Sequence, residues 1–129
     1  MKILGIDYGR KKIGLAIADG PLAEPYKILR YKDPPAGERE KIKKIVKELA
    51  IEKIVVGVSE GTMADESHNF GEKLKKTCSI PVFFQDETLS TQEAQRLSRQ
   101  AGIKRKKRKE MEDAFAAAIM LQSYLDQNV

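Results

Sequence analysis

Asp7 is an acidic residue in the middle of an apolar stretch near the start of the chain. Apolar residues dominate positions 3–6 before it and 13–17 after it, and Gly9 stands between the two runs. This pattern predicts two adjacent strands joined by a tight turn. Burying an ionised carboxylate without a partner is costly, so Asp7 either accepts backbone hydrogen bonds at the rim of the sheet or holds a cation.

A second acidic position follows the predicted fifth strand. Residues 80–84 are apolar and run directly into Asp86 and Glu87, and a capping-box pattern at 90–93 then begins a helix. Ligands of α/β proteins bind at the carboxyl ends of sheet strands. The two acids are therefore candidates for the same site as Asp7.

A third acid opens the final helix, which is otherwise apolar. Asp113 shares a helical face with Ala116, Ala117 and Met120, at spacings of three, four and seven residues. We expect this face to lie toward the sheet, because the small alanines allow a close approach.

Three carboxylates at one end of a sheet would repel one another unless a cation lay between them. Their oxygen ligands come without a His or Cys cluster, since His68 is the only histidine and Cys78 the only cysteine. Such a donor set favours Mg²⁺ or Mn²⁺ over zinc. Two of these ions can activate a water and stabilise a leaving 3′-oxygen, so the pattern predicts phosphodiester hydrolysis.

Several motifs, in order along nearly the whole chain, resemble the YqgF family, which is also called RuvX. They lie at 5–9 with 13–16, 56–58, 86–91 with 94, 113–114 with 116–117, and 121–125. The resemblance implies a ribonuclease H-like fold and a hydrolase that processes the 5′ end of pre-16S ribosomal RNA. It also implies that the catalytic acids and metal ligands are Asp7, Glu87 and Asp113, with Asp86 beside them.

The chain departs from the family pattern at two places. Thr88 stands where the family usually has a basic residue, so a phosphate contact would have to come from other bases. Glu60 follows the predicted buried strand 54–58, where related junction resolvases carry an active-site glutamate. Glu60 could supplement or replace Glu87, although a solvated loop residue is the plainer interpretation.

The net charge of +5 comes from one segment. Six of the 24 basic residues are consecutive, so the rest of the chain is close to neutral: Lys104, Arg105, Lys106, Lys107, Arg108 and Lys109. A block of like charges predicts a loop, here shortly before Asp113, where it can hold nucleic-acid phosphate beside the metal site. Arg10, Lys11 and Lys12 form a second basic turn near Asp7; a phosphate contact and a solvated turn explain them equally well.

The succession of elements is three strands, a helix, a strand, a helix, a strand and two helices. It predicts an α/β fold, with a mixed sheet whose first three strands are antiparallel and helices on both faces. The length of 129 residues fits one domain, 1–129. A single cysteine and the lack of a membrane-length apolar run predict a cytoplasmic protein with no membrane partner.

Several functions fit this pattern. The leading interpretation is a nuclease for structured RNA in ribosome maturation. A Holliday junction resolvase acting on branched DNA is the alternative, and it would normally require a two-fold dimer, whereas the sequence allows a monomer or a dimer. A binding module with vestigial acids is a third possibility. An actin-like ATPase or sugar kinase ranks last, because 129 residues leave little room for two lobes.

Overall fold

The computed structural model describes residues 1–9, 11–30, 36–58, 61–86 and 111–128. The elements within these ranges are β1 (Lys2–Asp7), β2 (Lys12–Asp19), β3 (Ala23–Arg30), α1 (Ala36–Glu48), β4 (Lys53–Val58), α2 (Thr62–Cys78), β5 (Val82–Asp86) and α3 (Glu112–Gln127). Their succession agrees with the predicted one. The predicted helix from Thr91 and the basic segment 104–109 lie outside the described residues. In the part of the chain that is described, no helix is long and apolar enough to cross a membrane.

The five strands form one mixed sheet in the order β3-β2-β1-β4-β5. The first three strands are antiparallel to their neighbours. β4 pairs parallel with β1, and β5 pairs parallel with β4. The crossover through α1 carries the chain from β3 back to β4, on the far side of β1. The predicted mixed α/β sheet is therefore confirmed.

Each face of the sheet is covered by helices, because strand residues point alternately to the two faces. One face packs against α1 and α2, and its buried residues include Leu4, Ile6, Ile13, Leu15, Ile42 and Phe70. The other face packs against α3, and its buried residues include Ile3, Ala16, Val55, Ala117, Met120 and Leu121. Gly5 of β1 lies on this second face, and its missing Cβ leaves room for the Leu121 side chain.

β5 begins two residues later than the sequence pattern indicated. Ser79 adopts a left-handed conformation at the end of α2, and its backbone N–H donates to the Lys75 carbonyl at 3.1 Å. The chain needs the residues up to Pro81 to reverse its direction, so the strand starts at Val82. As a result, Asp86 is the last residue of β5 instead of following it.

Candidate active site

Asp7 ends β1 between two glycines. Its Cα partners are Gly14 on β2 and Gly57 on β4, so neither neighbouring strand places a side chain beside it. Asp7 is in the same alternation as Ile3, which packs against α3, and therefore belongs to the α3 face of the sheet. Asp7 is thus at the carboxyl end of a central strand, between two neighbouring strand positions without side chains.

The backbone of α3 lies directly on Gly14. A Cβ on Gly14 would overlap the backbone carbonyl of Asp113 and would lie 2.9 Å from the backbone nitrogen of Ala114. No residue other than glycine leaves room for this approach. Because Gly14 is also the Cα partner of Asp7, it places the first turn of α3 next to the end of β1. The fold therefore places the backbones of Asp7 and Asp113 beside the same residue, Gly14.

Asp113 forms an ion pair with a lysine on β2. Nζ of Lys12 lies 3.0 Å from Oδ2 of Asp113. The Asp113 side chain is 28% exposed, but Oδ2 itself is buried and accepts no hydrogen bond from the described part of the chain. The ammonium thus approaches the oxygen at an ion-pair distance, off the direction of a hydrogen bond. With Lys12 42% exposed, such a pair contributes at most about 1 kcal/mol.

Gln85 and Asp86 of β5 point to opposite faces of the sheet. Gln85 is in register with Gly57, and its amide donates to Oε1 of Gln127 on α3 at 3.2 Å. Phe84 faces α2 instead, where its ring lies 4.2 Å from that of His68. By alternation Asp86 shares the α2 face with Phe84, away from the face of Asp7.

Several predicted site residues fall outside the described ranges: Glu87, Glu60, Arg10, Lys104, Arg105, Lys106, Lys107, Arg108 and Lys109. Within those ranges, no group of three or more His, Cys, Asp or Glu side chains is gathered as a metal centre would require. The structure instead places Asp7 and Asp113 beside the same residue, Gly14. Sequence reasoning missed the ion pair with Lys12, although a lysine two residues before Gly14 on the same strand face was a usable signal.

Asp7 and Asp113 are two of the three carboxylates predicted to hold the metal. Asp7 and Asp113 both adjoin Gly14, and Oδ2 of Asp113 is buried with no hydrogen bond among the described residues. A cation, the Lys12 ammonium, already lies against that oxygen. Hard oxygen donors of this kind suit Mg²⁺ or Mn²⁺, which complete their coordination with water and phosphate oxygens. The residues present therefore fit a divalent cation.

The fold is that of Holliday junction resolvases. A Thermus thermophilus RuvC in complex with a Holliday junction substrate superposes with a TM-score of 0.65 at 16% identity, covering 98% of this chain and 96% of that one. The fowlpox virus resolvase in complex with Holliday junction DNA gives 0.67 at 13% identity, covering 100% and 99%. The expected ribonuclease H-like fold is confirmed.

The chain belongs to the RuvX family, whose profile is described as Holliday junction resolvase and matches residues 1–127. A relative from Halothermothrix orenii is 39% identical, over 98% of this chain and 95% of its own length. A relative from Lactococcus lactis subsp. cremoris is 36% identical, over 97% and 94%. Both are named, provisionally, as a pre-16S rRNA nuclease.

Proposed function

We propose that this protein is a metal-dependent nuclease that processes the 5′ end of pre-16S ribosomal RNA in the cytoplasm, as a single domain of residues 1–129. The observation that carries the proposal is the juxtaposition of Asp7 and Asp113 across Gly14, with Oδ2 of Asp113 buried and without a hydrogen bond in the described ranges. Buried carboxylate oxygens normally accept hydrogen bonds, so this one, which has only the ion pair with Lys12 among the described residues, is suited to a ligand. The names of the two relatives support RNA as the substrate.

Asp7, Asp113 and Glu87 hold Mg²⁺ or Mn²⁺ in this proposal. Glu87 is chosen over Asp86 because Asp86 shares the α2 face with Phe84, away from the face of Asp7. Asp86 and Glu60 remain candidates for a supporting role. When bound, the metal supplies an activated water and stabilises the charge that develops on the leaving 3′-oxygen.

The residues of the chain itself orient the substrate. Asp7 stands at the carboxyl end of β1, so a phosphodiester can approach its carboxylate from that end of the sheet, while the first turn of α3 occupies the Gly14 side. The basic segment 104–109 and Arg10 bind neighbouring phosphates, which positions the nucleic acid without reading its sequence. Phosphate contacts of this kind explain why the positive charge is concentrated in one segment.

The second candidate function is Holliday junction resolution. It is favoured by the description of the family and by the two resolvases that share the fold. A resolvase cuts two strands symmetrically, which normally requires a two-fold dimer. The mass of the protein in solution, with and without a junction, therefore discriminates between the two functions.

The test is direct cleavage. Purified protein is incubated with 5′-extended pre-16S RNA and with four-way DNA junctions, in Mg²⁺, in Mn²⁺ and in chelator, beside Asp113→Asn prepared identically. We expect metal-dependent cleavage of the RNA, loss of cleavage in chelator, and no cleavage by Asp113→Asn. Preferential cleavage of the junction by a dimer would favour the resolvase. Tight binding without cleavage in either metal would instead indicate a binding module.

A further inference from the structure

The ion pair between Lys12 and Asp113 has a role of its own at the site. We propose that Lys12 is the built-in counter-ion of Asp113, and that a divalent metal takes over the position of its ammonium when the site is loaded. This inference rests on the proposed function, because it assumes that Asp113 is a metal ligand. It adds a residue that sets how readily the metal binds.

The two partners differ in how freely they can move. The backbone of Asp113 is held against Gly14, where the helix and the strand are in direct contact. Lys12 is only partly buried and carries its charge on a flexible four-carbon stem. The ammonium can therefore leave without any movement of β2, while the carboxylate stays in place.

The geometry of the contact also favours replacement of the Lys12 ammonium by a divalent metal. Nζ lies 3.0 Å from Oδ2, yet the oxygen accepts no hydrogen bond from the described part of the chain. The attraction is thus one of charge, with the directional capacity of the oxygen still unused. A divalent ion brings twice the charge, so it replaces the ammonium at the same oxygen.

Two consequences follow for the site. Without metal, Lys12 offsets the repulsion between the carboxylates of Asp7 and Asp113, so the metal-free fold is stabilised. With metal, the released ammonium stays at the edge of the site, where it can donate a charge-assisted hydrogen bond to a phosphate of the substrate. Because the metal must displace this ammonium from Asp113, Lys12 raises the metal concentration that the site requires.

Metal affinity is measured on the full chain without substrate, by calorimetric titration with Mn²⁺. The variants are Lys12→Met, which removes the charge and keeps the length, Lys12→Arg, which keeps the charge, and the control Lys11→Met. Lys11 is exposed one residue away, so its replacement removes the same charge without breaking the ion pair. We expect Lys12→Met to bind Mn²⁺ up to about fivefold tighter than Lys11→Met, and Lys12→Arg to stay within about twofold of the unmodified chain.

Thermal unfolding gives a second readout. Without metal, Lys12→Met should melt below Lys11→Met, because Asp113 has lost its counter-ion. Saturating Mn²⁺ should then raise the melting temperature of Lys12→Met by more than that of Lys11→Met, since tighter binding to the folded state gives a larger stabilisation.

The outcomes separate this inference from the proposed function. If Lys12→Met binds Mn²⁺ no more tightly than Lys11→Met, the counter-ion role is wrong. The metal site itself still stands in that case, provided that Asp113→Asn abolishes binding. If the unmodified chain and Asp113→Asn bind Mn²⁺ equally, or neither binds it, then both the metal site and the role of Lys12 are overturned.

Discussion

Gly14 lies so close to the backbone carbonyl of Asp113 that a Cβ at this position would overlap the oxygen. The same glycine is the Cα partner of Asp7 on the neighbouring strand. One residue without a side chain thus connects three elements, β1, β2 and α3, between Asp7 and Asp113. The conformational freedom of glycine is not the reason, because the backbone here is ordinary strand; the missing Cβ is what matters.

The first prediction concerns this close approach. Gly14→Ala should lower the free energy of unfolding by about 1–3 kcal/mol or more, because the first turn of α3 must move away from the sheet. The shift would also separate Asp113 from Asp7 and weaken Mn²⁺ binding. Urea unfolding and calorimetric titration measure the two effects.

The matched control is Gly37→Ala in the first turn of α1. A Cβ there would meet nothing within 4 Å, and alanine favours helix by about 1 kcal/mol, so the variant should be as stable as the unmodified chain or more so. Equal stability of the two alanine variants would mean that the close approach of α3 to Gly14 does not exist in solution.

The second prediction concerns Asp7. Asp7→Asn should abolish Mg²⁺-dependent cleavage and leave the fold intact, because it removes a ligand charge at constant volume. The metal-free variant should be at least as stable as the unmodified protein, since one repulsive charge is removed. Cleavage assays and circular dichroism measure the two effects.

Asp19→Asn serves as the control for Asp7. Asp19 ends the same hairpin at the opposite end of the sheet, where its Cα partner on β1 is Lys2, so its variant should cleave normally. Full activity of Asp7→Asn, in a preparation from which contaminating nucleases have been removed, would contradict the proposed mechanism.

The third prediction concerns the basic segment 104–109. Replacing its six basic residues with Ser and Gln should weaken nucleic-acid binding for all sequences and reduce its salt dependence, by about 0.7–0.9 in the log–log slope for each phosphate that the variant no longer neutralises. Turnover at saturating substrate should fall less than affinity, because these side chains do not hold the metal. Fluorescence anisotropy at a series of salt concentrations gives this slope for a labelled RNA and for a labelled four-way junction.

The control removes the same number of charges elsewhere. Six exposed lysines of α1 and α2 are replaced with Gln: Lys41, Lys44, Lys47, Lys73, Lys75 and Lys76. If the segment variant and this control lose affinity equally, total charge governs binding and the segment has no special role.

The fourth prediction concerns pH. Burial raises the pKa of the Cys78 thiol, the charge of Lys43 opposes this rise, and Glu40 adds to it. A thiol whose pKa is raised by folding keeps its proton longer in the folded state than in the unfolded state. Its contribution to stability is therefore complete below the unfolded pKa of about 8.5 and is lost as the pH rises through the folded value.

Urea unfolding at a series of pH values checks this prediction, with Cys78→Ser as the reference because its hydroxyl does not titrate there. The unmodified protein should lose stability relative to Cys78→Ser as the pH rises above about 8.5. A constant difference between the two proteins across this range would show that the thiol titrates normally.

Much of the fold followed from local patterns. The alternation of apolar residues around Asp7 predicted the first hairpin, and the apolar stripe of α3 with its small alanines predicted a helix close against the sheet. Both patterns are local consequences of strand and helix geometry, so they are readable without tertiary contacts. The predicted start of β5 was wrong by two residues. The left-handed Ser79 and the following turn end α2, and they leave little trace in the apolar pattern.

The sequence by itself determined which residues carry the chemistry: acids at the ends of apolar segments, without histidine or cysteine partners, and a concentrated basic segment. Only the tertiary structure decided which of these acids meet. A strand residue changes face with every step along the chain, so whether Asp86 shares the face of Asp7 depends on a register that no local pattern specifies. The approach of Asp113 to Lys12 and Gly14 joins residues about a hundred positions apart in the chain, and it exists because α3 packs on β2.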